Sequence, residues 1–141
     1  MKPHLCKLLH TALQTLQAQG LLTGEVPAIG IERARDKQHG DFASNIALVL
    51  AKTAQRKPRE LAEQIVAHLP ASDQVERVEI AGPGFINFLL TPAAWQAVVN
   101  TVLETGAAYG AGTQADAAPV QVEFVSANPN GPLHVGHGRG A

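Results

Sequence analysis

The stretch Val75-Glu76-Arg77-Val78-Glu79-Ile80-Ala81-Gly82-Pro83-Gly84-Phe85-Ile86-Asn87-Phe88-Leu89-Leu90 predicts the fold of the first hundred residues. Its first six residues interleave apolar and charged side chains, as a half-buried strand does. Ala81–Gly84 has the composition of a turn, and Phe85–Leu90 is rich in strand-forming residues. The stretch therefore predicts a β-hairpin.

Patterns typical of helices occur in the sequence both before and after this hairpin. Apolar residues recur at helical spacing over residues 4–19, from Ala43 to about Lys52, from Pro58 to Leu69, and after the Thr91-Pro92 start signal up to Gly106. The inner face of the second helix is predicted to hold Phe42, Ile46, Val49 and Leu50. A weaker strand is predicted over Ile29–Ala34. Residues 1–106 are thus expected to form an α+β domain, a small antiparallel sheet packed with about four helices.

Composition limits the class of protein. The chain has 141 residues, of which 45% are apolar and 16% charged, which is typical of a globular domain with a core and excludes a disordered chain. Residues 1–60 hold nine basic and five acidic side chains, an excess of four positive charges. This half can contact phosphate or can simply carry solvated helix faces. The phosphate candidates are Arg33, Arg35, Lys37, Lys52, Arg56 and Lys57.

The single cysteine and the hydropathy pattern indicate the compartment. Cys6 excludes an internal disulfide and fits a reducing cytosol. No apolar run approaches the roughly 20 residues that span a bilayer. Polar residues interrupt the N-terminal apolar stretch, so it does not resemble a signal peptide. We expect a cytoplasmic protein with no membrane partner.

A second domain is predicted to begin after a linker. Residues 107–118 lack apolar periodicity and predict a linker, and residues 119–141 open with the strand-like run Val120–Val125. A Pro/Gly/Asn turn then leads to His134-Val135-Gly136-His137. Strand, turn and His-x-Gly-His in this order are typical of the start of a Rossmann-like nucleotide-binding domain.

The histidine pair has a chemical interpretation. Imidazoles at His134 and His137 share one face of a helix, where they can meet the negative charge of an ATP phosphate. Gly136 leaves room for a nucleotide close to the backbone. Two alternatives are solvated histidines and a zinc pair. Zinc is disfavoured because no cysteine or carboxylate lies within ten residues of the pair, and no metal ligand is predicted.

Three separated motifs resemble one family. Val122–Arg139 resembles the HIGH motif of class I aminoacyl-tRNA synthetases in the form found in bacterial arginyl-tRNA synthetases, with Val135 in place of the isoleucine. Gly40–Asn45 and Ala81–Phe88 resemble motifs of that family's N-terminal additional domain. The three motifs occur in the family's order and cover most of the chain.

The resemblance implies an activity. ATP and L-arginine would form arginyl-adenylate, and the arginyl group would pass to the terminal ribose of arginine tRNA. It implies Mg²⁺ with the ATP, tRNA binding before arginine activation, and a monomeric full-length enzyme. His134 and His137 would be catalytic and hold the ATP phosphates. The implied ATP contacts are Ser126, Asn128, Pro129, Gly131, Leu133, His134, Gly136 and His137.

Further positions follow from the same resemblance. Glu123, Ser126 and Asn128 match positions that meet arginine, although a mid-strand Glu123 can also point to solvent. Phe85 and Asn87 match positions that contact the tRNA D-loop, where an aromatic ring can stack on a base and an amide can read its edge. Phe85 can instead be a core residue. Asp41 is expected to cap the second helix.

Three hypotheses remain open for the chain. No KMSKS-like loop is present, so we expect an N-terminal fragment of the enzyme that does not aminoacylate tRNA by itself. A free-standing, non-catalytic tRNA-binding or regulatory module is the alternative. A different HIGH-type nucleotidyltransferase is disfavoured by the Gly40-Asp41-Phe42 and Gly82–Asn87 motifs.

Overall fold

A computed structural model describes residues 1–34, 37–112, 118–128 and 130–140 of the chain, with nothing stated for the side chains of Lys37 and Gly140. The chain divides into two compact units, Met1–Ala107 and Ala108–Ala141. Two of the residues singled out above, Arg35 and Pro129, lie outside the described residues, as does part of the predicted linker.

Four α-helices are described in the first unit. They are α1 (Lys2–Ala18), α2 (Ile46–Ala54), α3 (Pro58–Ala67) and α4 (Pro92–Thr105). The leucines of α1 and Ala12 recur at helical spacing and are buried: Leu5, Leu8, Leu9, Ala12, Leu13 and Leu16. This confirms the predicted first helix. Leu61 and Ile65 on α3 belong to the same core.

The strands form one antiparallel sheet. They are β1 (Glu32–Arg33), β2 (Phe42–Ser44), β3 (Val75–Ala81) and β4 (Phe85–Leu90), in the order β1-β2-β4-β3. β3 and β4 pair as the predicted hairpin, with Ala81 opposite Phe85. The predicted α+β architecture with a small antiparallel sheet is confirmed.

The two faces of the sheet differ. Ile86, Phe88 and Leu90 of β4 are buried in the hydrophobic core with the helices. Because successive side chains of a strand point to opposite faces, Phe85, Asn87 and Leu89 lie on the other face. This second face, on which Phe85 is 41% exposed, is called the open face below.

The region around residue 42 was predicted wrongly. Phe42–Ser44 is a strand, and the helix begins only at Ile46. Phe42 and Ser44 are buried opposite Phe88 and Ile86, so long-range pairing with β4 overrides the local helical pattern. Val49, predicted to face inward, is 48% exposed. The strand predicted over Ile29–Ala34 is reduced to β1, which comprises two residues.

The last helix of the unit begins and ends as predicted. The Thr91 hydroxyl accepts a hydrogen bond from the Ala94 N–H at 3.3 Å, Pro92 follows, and Gly106 ends α4. Only Ala94 of this helix is buried, and Trp95 stacks on Phe42 with ring centroids 6.2 Å apart. Among the described residues, no helix combines the length and the apolarity needed to cross a bilayer.

The second unit contains one short helix among its described residues, α5 (Val135–Gly140). The strand predicted over Val120–Val125 is not found, and Val120, Val122 and Phe124 are exposed. A strand needs a neighbour to satisfy its backbone hydrogen bonds, and no described residue pairs with this segment.

Candidate functional site

A cavity of about 540 Å³ lies on the open face of the sheet. Phe85 and Asn87 from β4 and Ala43 from β2 contribute to its walls. Ala43 pairs with Asn87 across the two strands, and its small side chain leaves space in front of the amide. The structure therefore brings the two predicted tRNA contacts, Phe85 and Asn87, to one cavity.

The two β4 side chains present different chemistry to this cavity. Phe85 is 41% exposed, so the alternative that it belongs to the core is wrong. Asn87 is only 5% exposed, and its amide makes no hydrogen bond with any described residue. No fully buried side-chain nitrogen or oxygen among the described residues lacks a partner, so the amide of Asn87 keeps some accessible surface. Asn87 lines this cavity and a second, smaller one, so its amide is placed to bind a polar ligand.

One glycine in each of the motifs Gly40–Asn45 and Ala81–Phe88 allows a close contact between two backbone segments. Gly40 has φ +92°, and a Cβ there would lie 2.7 Å from the Phe88 carbonyl oxygen. Gly84 has φ +140°, and a Cβ there would lie 2.8 Å from the Pro58 carbonyl oxygen. Both positions need glycine because the backbone is left-handed and lies against another backbone.

Asp41 has a role other than the predicted helix cap. Its Oδ2 accepts a hydrogen bond from the Leu90 N–H at 2.8 Å, and its own N–H donates to the Phe88 carbonyl at 2.8 Å. The prediction that Asp41 caps the second helix is wrong because β2 separates it from α2. Through these two hydrogen bonds, Asp41 links the segment before β2 to β4.

Charged groups also border the cavity. Glu32, Arg33 and His39 line it, and Arg33 is among the predicted phosphate candidates. Lys57 forms an exposed ion pair with Glu60 at 3.3 Å. An arginine on the rim can meet a phosphate of a nucleotide whose base enters the cavity.

Sequence reasoning gave no role to Asn45 and His39, which also line the cavity. Asn45 is the last residue of the Gly40–Asn45 motif, so the motif itself was a signal for it. His39 follows no pattern that sequence reasoning could have used, since its position depends on the three-residue 3₁₀ turn Lys37–His39 packing near β4.

The second unit holds the histidine pair. The rings of His134 and His137 stack with centroids 3.9 Å apart. His137 Nδ1 accepts from the His134 N–H and His134 Nδ1 accepts from the Gly136 N–H, both at 3.1 Å. An Nδ1 that accepts a hydrogen bond leaves the proton of a neutral imidazole on Nε2, which is then a donor. Both rings can therefore donate from Nε2.

Gly136 makes room for an imidazole. A Cβ on residue 136 would lie 2.8 Å from His134 Cε1 and 3.0 Å from its Nδ1. Any side chain at this position would displace the His134 ring from its partner. The glycine in the middle of the motif is thus explained by the histidine geometry as well as by the predicted approach of a nucleotide.

The other predicted residues of this unit are not gathered into an enclosed site. Glu123, Ser126, Asn128, Gly131 and Leu133 are all exposed. Within the described part of the chain, no group of three or more His, Cys, Asp or Glu side chains could hold a metal ion. The structure therefore assembles the histidine pair but not the predicted arginine contacts.

Known proteins resemble the chain over its full length. Residues 4–90 match the family model described as the arginyl tRNA synthetase N terminal domain. The chain is 54% identical over 143 residues to an arginine–tRNA ligase of Halorhodospira halophila and 52% identical over 141 residues to one of Acidithiobacillus ferrooxidans. Each alignment covers 100% of this chain and 24% of the relative, so the chain spans about a quarter of these proteins' length.

Solved structures show the same fold. The arginyl-tRNA synthetase of Thermus thermophilus matches 95% of this chain and 21% of its own, with a TM-score of 0.50 at 25% identity. The enzyme of Plasmodium falciparum matches 71% of this chain and 18% of its own, with a TM-score of 0.58 at 13% identity. From the family model and the relatives together, the chain belongs to the arginyl-tRNA synthetase family.

Proposed function

We propose that the chain is the N-terminal part of an arginine–tRNA ligase that works in the cytoplasm. Residues 1–106 would bind the D-loop corner of arginine tRNA, 107–118 would be a linker, and 119–141 would begin the catalytic domain. The complete enzyme would activate L-arginine with ATP and transfer it to the tRNA. The family membership supports the reaction, and the cavity on the open face supports the tRNA contact.

The observation that carries the proposal is the pairing of an exposed aromatic ring with a buried amide in one cavity. Phe85 offers a ring face on which an unpaired base can stack, and such stacking contributes about 1–3 kcal/mol per base. Asn87 offers one acceptor and two donor hydrogens with no partner among the described residues. Single-stranded loops are where unpaired bases are available for this kind of recognition.

The histidine pair fits an ATP phosphate. Nε2 atoms that carry protons can donate to phosphate oxygens and stabilise the charge that builds up there. We assign this role to His134 and His137, with nucleotide contacts also at Ser126, Asn128, Pro129, Gly131, Leu133 and Gly136. Mg²⁺ would be held chiefly by the oxygens of the ATP itself, which is its usual mode of binding.

The proposed contacts with L-arginine are supported only by the chemistry of the side chains. The Glu123 carboxylate suits the guanidinium or the α-ammonium of L-arginine, and Ser126 and Asn128 can add neutral hydrogen bonds. All three are exposed in this chain. Charge-assisted hydrogen bonds gain strength when water is excluded, so these contacts would become effective only in an enclosed site.

The test is binding of the 141-residue chain to an arginine tRNA transcript and to a non-cognate transcript, over a series of salt concentrations. We expect tighter binding of arginine tRNA, and a loss of about tenfold or more for Phe85→Ala, which corresponds to the stacking of one base. Asn87→Ala should reduce the preference between the two transcripts, because an amide reads the base edge.

Two variants serve as controls. Tyr109→Ala removes an exposed aromatic ring outside the cavity, and Asn100→Ala removes an exposed amide on α4. Both should bind like the unaltered chain. Equal, steeply salt-dependent binding of both transcripts by the unaltered chain would contradict the proposal, because it would show phosphate attraction without recognition.

A further inference from the structure

Asn45 occupies the N-cap position of α2 without capping it. Its φ and ψ are −100° and 15°, outside the extended region that N-cap residues usually adopt, and its side chain makes no cap hydrogen bond. Only its backbone carbonyl serves the helix, accepting from the N–H groups of Leu48 and Val49 at 2.9 and 3.1 Å. Asparagine is a strong capping residue, so this unused side chain needs another explanation.

The side chain of the neighbouring Ser44 stabilises the start of α2 instead. Ser44 Oγ accepts from the Ile46 N–H at 3.3 Å and donates to the Gly30 carbonyl at 2.8 Å. Ser44 is buried, whereas Asn45 is exposed. The start of α2 is therefore stabilised by Ser44, and the Asn45 amide makes no hydrogen bond with any described residue.

The free amide borders the cavity that holds Asn87. Asn45 and Gly30 both line this cavity, and Asn45 Oδ1 lies 3.7 Å from the position that a Cβ on Gly30 would take. Ser44 pairs with Ile86, one position from Asn87, so Asn45 follows directly on the strand segment that flanks Asn87. The cavity is thus lined by two amides that have no hydrogen-bond partner among the described residues, and by an exposed aromatic ring.

We propose that Asn45 is a second base-reading residue, which acts with Asn87 on the edge of the unpaired nucleobase that stacks on Phe85. This inference rests on the proposed function of the cavity. Each amide supplies a donor and an acceptor, so two amides can match the mixed donors and acceptors of one base edge. A base that presents the wrong pattern would leave one amide unpaired, which disfavours its binding.

The test separates reading of the base from helix capping. Asn45→Ala should weaken binding of arginine tRNA about tenfold, as expected for one lost base contact. It should also reduce discrimination between that tRNA and transcripts with a substituted D-loop base. Asn45→Asp should weaken binding at least as much, since the carboxylate cannot donate and repels phosphate.

Thermal unfolding distinguishes this role from a structural one. Asn45→Ala should leave the Tm unchanged, because no cap hydrogen bond is lost, and Asn45→Asp should leave it unchanged or raise it, because a negative charge favours a helix N-terminus. Asn100→Ala is the matched control. It should not alter binding, and it should leave the Tm unchanged or raise it slightly, because alanine is the better helix former.

The outcomes also separate this inference from the proposed function. If binding depends on Phe85 but is the same for Asn45→Ala and the unaltered chain, the cavity binds tRNA and Asn45 does not read it. A fall in binding that follows a fall in Tm would mean that Asn45 is structural. If the unaltered chain does not discriminate between tRNAs, the proposed function fails and this inference fails with it.

Discussion

Met1–Ala107 and Ala108–Ala141 both carry motifs that resemble one family, but they differ in how much of their apolar surface is buried. The first unit buries a core of helices and strands in which Phe88 and Ile86 have no exposed surface. In the second, Val120, Phe124 and Leu133 are all largely exposed, and one six-residue helix is described. A motif therefore defines a site only where the surrounding chain supplies partners.

The glycines of the two units show the same contrast. Gly40 and Gly84 are required because other parts of the backbone lie against them. At Gly136 a Cβ would instead meet the side-chain ring of His134, only two residues away. The first unit thus depends on long-range packing and the second on a local interaction. Three pairs of substitutions separate long-range packing from local interactions.

The largest effect is expected in the core of the first unit. Phe88→Ala should lower the free energy of unfolding by about 4 kcal/mol, because it leaves a cavity beneath the central strand. Phe124→Ala, in the second unit, should change it little because that ring is 69% exposed. Urea denaturation followed by circular dichroism measures both. Equal losses would mean that the second unit is as tightly packed as the first.

A smaller effect is expected at the turn between β3 and β4. Gly84→Ala should destabilise the chain by about 3 kcal/mol, since the new Cβ meets the Pro58 carbonyl in a backbone conformation that favours glycine. Gly82→Ala is the matched control. Gly82 has φ +51° with nothing within 4 Å of an added Cβ, so only the left-handed strain of about 1 kcal/mol applies.

Unfolding in urea compares these two turn variants directly. A Gly84→Ala variant no less stable than Gly82→Ala would show that the contact between the turn and the start of α3 is dispensable. That result would weaken the view that long-range packing defines the first unit.

The smallest effect is expected at the helix caps. Thr91→Ala should cost about 1 kcal/mol, because Thr91 supplies a side-chain cap to α4. Asn45→Ala should cost almost nothing, because Asn45 supplies none to α2. The shift in Tm measures both variants. A loss at Asn45 as large as at Thr91 would show that its side chain serves the helix after all.

Much of the first unit could be predicted from the sequence because its signals are local. The turn at Ala81–Gly84, the Thr91-Pro92 helix start and the leucine spacing of α1 each depend on residues close together in the chain. The strand at Phe42–Ser44 could not be predicted this way. Its partner, Phe88, is far away in sequence, and the intervening residues give no indication of the pairing.

The residues of the candidate site also differ in whether the sequence alone could predict them. Phe85 and Asn87 could be selected from the sequence because an amide stands out in an apolar strand. The histidine pair could be selected because its two rings are close in the chain. Asn45 could not, because only the structure shows that Ser44 accepts the hydrogen bond from the Ile46 N–H and that the Asn45 side chain makes no cap hydrogen bond.

The sequence by itself determined the hairpin, most of the helices and the family, since these follow from spacing, turn chemistry and motif order. Only the tertiary structure decided which residues surround a common cavity and which amides have no partner there. Those properties depend on how β2 and β4 pair and on what then covers each face of the sheet. Local preferences do not contain that information, because burial arises from contacts between distant parts of the chain.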